Sequence, residues 1–156
     1  MRGKKQSLAK PAQPDPRYGS PAITKFINYV MQDGQKATAT KIVYDALEKA
    51  AKELKVEVKE VIDQVIANVM PKLEVKARRI GGANYQVPVP VAEHRGIALA
   101  LKWIVGVVRE KQGKPMSDFL AEELMAGFRN EGAAIKKREM VEKMAEANKA
   151  FAQFKW

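Results

Sequence analysis

The chain of 156 residues has no cysteine and a single histidine, His94. Without thiols it can build neither a disulfide framework nor a thiolate zinc site, and one imidazole cannot assemble a histidine-rich metal centre. The lack of cysteine fits a reducing compartment. The longest apolar runs fall far short of membrane-spanning length, so no membrane partner is expected. The opening MRGKKQSLAK carries the positive charge of an export signal but not the apolar stretch that follows one. There is no nucleophile elbow and no phosphate-binding glycine loop, and Gly81-Gly82 alone makes neither. Glu122 and Glu123 lie in a charge-rich helical stretch and read as solvated. These absences predict no catalytic residue, no metal site and no cofactor.

Acidic residues are the minority charge. Lys plus Arg total 28 against 18 Asp plus Glu, and 28 − 18 gives a net charge of +10. Such a surplus raises the local concentration of anions and speeds encounter with polyanions, RNA or DNA first. Apolar residues make up 46% of the chain, enough to bury a core, and the length predicts one domain over residues 1–156.

Residues 1–17 read as an extended basic tail. Pro11, Pro14 and Pro16 prevent regular helix, and five cations face the single acid Asp15. Such a segment is expected to be disordered until a charged partner orders it.

Helical spacing then predicts a bundle of about six helices. The first begins near Ser20, a candidate cap, with Pro21 at the first helical position and Ile23, Phe26, Ile27, Val30 and Met31 on one face. Asp33-Gly34 stops it. The second runs over about 36–54 with Val43, Ala46, Leu47, Ala50 and Leu54 inward. The third uses Val58, Val61, Ile62, Val65 and Val69 and ends at Pro71. The fourth, over 95–109, turns Ile97, Leu101, Ile104, Val105 and Val108 to the core. Ser117 is expected to cap the fifth helix, and the sixth is expected over about 135–154, with Met140, Met144, Ala147 and Phe151 as a core stripe.

One segment departs from the helical period. Over 72–91, Leu73, Val75 and Ala77 alternate with charged residues, and Tyr85, Val87, Val89 and Val91 alternate with Gln86, Pro88 and Pro90. Period two predicts two strands, and Gly81-Gly82 supplies the positive φ of a tight reversal. Pro88 and Pro90 donate no ladder hydrogen bond and keep the second strand an edge. The expectation is a protruding arm, packed at its base and exposing Arg78, Arg79, Gly82, Asn84 and Tyr85 at its end. Arginine can fork onto phosphate and tyrosine can stack on a base. Lys136-Lys137-Arg138 opens the sixth helix, where the macrodipole makes a cation unfavourable by about 0.3–1 kcal/mol unless an anion answers it. Lys111 and Lys114, near Pro115, read as solvated.

These residues resemble the family of bacterial-type small-subunit ribosomal protein number seven over nearly the full length. The resemblance rests on Pro14-Asp15-Pro16 with Tyr18-Gly19-Ser20, on Met31-Gln32-Asp33-Gly34-Gln35-Lys36 and on Ile42-Val43-Tyr44-Asp45-Ala46-Leu47. It continues through VKARRIGGANYQVPV from Val75 to Val89, Leu99-Ala100-Leu101-Lys102-Trp103-Ile104, Lys136-Lys137-Arg138-Glu139 and Met144-Ala145-Glu146-Ala147-Asn148-Lys149-Ala150-Phe151.

The resemblance implies a structural constituent of the small ribosomal subunit in the cytoplasm, a helical bundle with a protruding hairpin. It implies direct binding to the 3′ major domain of 16S-type rRNA, nucleation of head assembly, and contact with exit-site tRNA and the mRNA exit region. It also implies contact with ribosomal protein number eleven and other head proteins, and in some members translational repression of the protein's own operon mRNA. Carried over by position, rRNA contacts are implied for Arg2, Lys4, Lys5, Lys10, Arg17, Lys36, Lys76, Arg78, Arg79, Arg95, Lys102, Lys136, Lys137 and Arg138. Gly81, Gly82, Ala83, Asn84 and Tyr85 are implied to lie beside exit-site tRNA and mRNA. The chain departs from the family pattern at Gln35, Ala92, Gly96 and Lys102, where lysine or arginine is common. The rival reading is a helical DNA-binding regulator, which needs a helix with base-reading polar side chains on its outer face. No helix stands out in that way.

Overall fold

Apolar residues three and four apart give each helix one buried stripe, and six such stripes converge on a shared core. The computed structural model describes residues 11–154. Among them are α1 (Pro21–Val30), α2 (Lys36–Leu54), α3 (Val58–Val69), β1 (Leu73–Ile80), β2 (Ala83–Pro90), α4 (Glu93–Arg109), α5 (Met116–Phe128) and α6 (Ala133–Ala147). A 3-10 segment, Lys149–Phe154, follows. Ile23 and Phe26 of α1, Val43 and Leu47 of α2, Ile62 and Val65 of α3, Leu101 and Ile104 of α4, and Leu120 and Leu124 of α5 are fully buried in one cluster. Each such side chain contributes about 1.5–3 kcal/mol relative to exposure.

Two helix starts differ from expectation. Ser20 occupies the cap position of α1, but its side chain makes no capping bond; its carbonyl instead accepts from the backbone N–H of Asp15 at 3.2 Å and of Thr24 at 3.4 Å. Ser117 lies inside α5, because the extended backbone of Pro115 turns the chain into helix two residues earlier and its carbonyl accepts from Asp118 N–H at 3.0 Å.

The sixth helix also stops short of the expected 154. Asn148 donates its side-chain N–H to the Met144 carbonyl at 2.8 Å, ending α6 at Ala147 and leaving the 3-10 segment to turn away. Met140 and Met144, expected in the core, are 58% and 46% exposed. The stripe that α6 does bury runs through Ala134, Ile135 and Ala145.

The strands pair antiparallel from Leu73 opposite Pro90 to Ile80 opposite Ala83. Gly81 and Gly82 connect them with φ of +57° and +87°, and positive φ at both central positions is the requirement of the hairpin turn whose twist matches its strands. The register sets Glu74, Lys76 and Arg78 opposite Val89, Val87 and Tyr85. The charged side of β1 and the apolar side of β2 therefore share one face, and the hairpin has no purely apolar side.

Candidate nucleic-acid interface

Tyr85 lies on the same face of β2 as the buried Val87 and Val89, and this decides its surroundings. Its ring packs against Phe151 at 5.2 Å and Phe154 at 5.3 Å between centroids. Arg78, its cross-strand partner, donates from Nη1 to the Phe154 carbonyl. Both were expected to stand exposed at the end of the arm; the 3-10 segment leaves both half-buried instead. Arg79, Gly82 and Asn84 are exposed as expected, and Lys76, Gly81 and Ala83 are exposed too.

At the base of the arm the buried Glu74 accepts from Arg95 of α4 at 2.7 Å (Nε) and 2.9 Å (Nη2), and Lys76 Nζ approaches the same carboxylate at 3.8 Å. The hydrogen bonds from Arg95 hold the Glu74 carboxyl below the usual glutamate range, outweighing the upward push of burial. Gly96, the next residue, is buried where a Cβ would stand 2.5 Å from Met70 Cγ. A larger side chain here would have to displace Met70, which gives the departure at this position a packing basis.

Arg95, Lys102 and Arg109 recur every seven residues, close to two helical turns, and so fall on one stripe of α4 about 10 Å apart. They line a groove of about 420 Å³ with Tyr29, Ala98 and Leu99. All three charged residues of the lining are cations. Arg109 Nη2 also donates to the Tyr29 and Val30 carbonyls, each at 3.2 Å, satisfying the end of α1 where the macrodipole favours positive charge. The sequence reading did not single out Arg109 or Tyr29. The seven-residue repeat was a signal for the arginine; nothing local marked the tyrosine, which reaches the groove through the packing of α1 on α4.

The N-terminus of α6 is met by a carboxylate from α5. Glu123, expected to be solvated, is 3% exposed; its Oε1 accepts from Ala134 N–H at 2.9 Å and its Oε2 faces Lys111 Nζ at 3.4 Å. A carboxylate from a neighbouring helix thus satisfies the α6 N-terminus. Lys111 and Lys114 are exposed, as expected, and pair with Glu123 and Glu122 respectively. Lys136 is exposed and Lys137 half-buried. Arg138 turns inward: it donates from Nη1 to the Asn68 carbonyl and to Asn130 Oδ1 (3.3 Å), and lies 3.7 Å from Glu142.

At the end of the tail Asp15 closes a turn through Tyr18. Its buried carboxylate accepts from Arg17 N–H at 3.1 Å, Tyr18 N–H at 2.9 Å and Tyr44 O–H at 2.6 Å. Arg17 forms a 2.7 Å ion pair with Glu48, and its guanidinium lies over the Tyr18 and Tyr44 rings at 5.4 and 5.2 Å. Burial, then the hydrogen bonds to Glu48 and Asp15, push the Tyr18 and Tyr44 hydroxyls up to about 12. Lys36, the first residue of α2, is exposed. Arg2, Lys4, Lys5 and Lys10 lie outside the described residues.

Among the described residues no group of three or more His, Cys, Asp or Glu side chains could hold a metal ion. None of the described helices is long and apolar enough to cross a membrane.

Residues 2–149 match the model of the family described as Ribosomal protein S7p/S5e. The small ribosomal subunit protein uS7 of Fervidobacterium nodosum is 54% identical over 143 residues, 92% of each chain. Its counterpart from Protochlamydia amoebophila is 49% identical over 148 residues, 94% of each chain. That of Thermosipho africanus is 49% identical over 156 residues, the whole of both chains. On a family match of that extent and identity near one half across more than nine-tenths of each relative, the chain belongs to the ribosomal protein S7p/S5e family, whose members are structural proteins of the small ribosomal subunit and not enzymes.

Proposed function

We propose that this chain binds the 3′ major domain of small-subunit rRNA directly and helps organise assembly of the subunit head. The observation that carries the reading is the groove along α4, whose charged lining of Arg95, Lys102 and Arg109 is wholly cationic. Phosphates attract such a stripe regardless of sequence, and folded RNA is recognised largely through phosphates and shape. Lys76 and Arg79 on the arm, Lys36 at the start of α2 and Lys136 and Lys137 on α6 extend the cationic surface. Arg2, Lys4, Lys5 and Lys10 add charge from the tail. Arg17, Arg78 and Arg138 are held by partners within the protein, so their part is to order the surface as well as to charge it.

The turn of the arm takes the position beside exit-site tRNA and the mRNA exit path. Gly81 to Asn84 are exposed, with nothing within 4 Å of where a Cβ on either glycine would stand, so a nucleic-acid backbone can approach closely. Tyr85 supports the turn from behind. Ribosomal protein number eleven is the neighbour on the arm side, in the cytoplasmic ribosome.

Ultraviolet crosslinking of the assembled small subunit, mapped to both peptide and nucleotide, tests this reading. Crosslinks to rRNA are expected in the peptides spanning 95–109 and 76–84. Crosslinks confined to the surface around the Lys49–Asp118 ion pair between α2 and α5 would contradict it.

A further inference from the structure

Glu74 is a buried acid bonded to Arg95, and Arg95 lines a groove whose charged residues are all cations. A solvated carboxylate there would only weaken attraction for RNA, and an apolar residue could fill the same space. Its two oxygens instead take both donors on one edge of the Arg95 guanidinium, at 2.7 and 2.9 Å, and one of them also faces Lys76 at 3.8 Å. The Glu74 side chain is 11% exposed and that of Arg95 is 50% exposed. Guanidinium is planar with five N–H donors. With the Nε and Nη2 edge held by Glu74, the Nη1 side is directed away from the carboxylate. Arg95 also lines the α4 groove, so the held group stands at one end of the cationic stripe.

We propose that Glu74 is a positioning residue for RNA: it fixes the Arg95 guanidinium so that the opposite edge meets a phosphate with its side-chain freedom already restricted. As a residue of β1 it also ties the arm to α4 through Arg95, which sets that arginine beside Lys76 of the arm. This rests on the reading that Arg95 contacts rRNA. An arginine free in solution loses its rotamer freedom on binding; one already held by a buried carboxylate loses less.

The test exploits a difference in sign. Removing a negative charge beside an RNA-binding surface should tighten binding if charge alone matters. Positioning predicts that Glu74→Gln weakens binding to a transcript of the 3′ major domain by about three- to tenfold, the ordering cost of one long side chain. The salt dependence should stay unchanged, because Arg95 keeps its charge. Arg95→Ala should weaken binding about tenfold and lower the salt slope by about one. In the Arg95→Ala background Glu74→Gln should have no further effect, whereas damage to the hairpin as a whole would persist there. Arg95→Lys keeps the charge without the fork and should bind nearly as weakly as Arg95→Ala, which tests the same idea with Glu74 intact. If Arg95→Ala binds like the parent, the contact reading itself fails. If Arg95→Ala is weak but Glu74→Gln binds as tightly as the parent or more so, or Arg95→Lys matches the parent, positioning is overturned while the contact survives.

Discussion

Asp15, Tyr18 and Tyr44 explain at residue scale why a tail that looks destined for disorder is tied down at its last turn. One buried carboxylate satisfies two backbone N–H groups and a tyrosine hydroxyl, and Glu48 takes the other hydroxyl and Arg17. Both hydroxyls donate to carboxylates, so ionising either would set negative charge against negative charge. The folded value of about 12 exceeds the unfolded value of about 10, so this stabilisation is fully present below pH 10 and is lost as pH rises towards 12. An ultraviolet titration should show a late tyrosinate step that shrinks in Tyr18→Phe and again in Tyr44→Phe. If neither substitution alters the high-pH part of the curve, the clasp is misassigned. The prolines correctly signalled the absence of helix over the described residues 11–17. They could not signal the clasp, because its acceptor Glu48 and its donor Tyr44 lie 30 residues downstream, on α2.

Among the elements, the arm and the 3-10 segment form one unit. A two-stranded ribbon is marginal by itself, and each ring contact of Tyr85 with Phe151 and Phe154 stabilises it by about 0.5–1.5 kcal/mol. Replacing both phenylalanines with alanine should leave helical content and global unfolding nearly unchanged. Hydrogen exchange of the β1 and β2 amides near the turn should quicken roughly in proportion to the lost contacts. Unaltered exchange in the arm would mean that the segment does not brace it. Both strands and the Gly81-Gly82 turn were legible from period-two alternation and from the two glycines. The two-residue turn also fixes the register, and it is that register, not the pattern of either strand alone, that sets the charged side of β1 beside the apolar side of β2. The 3-10 segment was read as a continuation of α6, since Phe151 keeps helical spacing from Met144 and Ala147; the interrupting bond from Asn148 to Met144 is a local competition that spacing does not reveal.

Across the whole molecule, the packing of six helices was legible because each carries its own stripe, and the fully buried side chains of α1 to α5 are nearly those the stripes pick out. The candidate interface was legible only in part. Arg95 and Lys102 could be carried over by position, but the groove they share with Arg109 and Tyr29 exists only once α1 packs on α4. Sequence counts charge and does not show which cations already have an anion. Lys111 and Lys114 face Glu123 and Glu122, and Arg17 faces Glu48; Arg95 is paired with Glu74 along one edge only and lines the α4 groove together with Lys102 and Arg109.

That the cations lining the α4 groove, and not Lys114 in its ion pair with Glu122, meet phosphate is the central claim, and filter binding of the protein to a 3′ major domain transcript over a range of salt tests it most directly. If about 6–10 phosphates are neutralised, the logarithm of affinity should fall linearly with the logarithm of salt and lose orders of magnitude between low and moderate concentrations. Alanine at Arg95 and Lys102 should reduce that slope, and alanine at Lys114 should not. A flat salt dependence, or a slope indifferent to Arg95 and Lys102, would contradict the account.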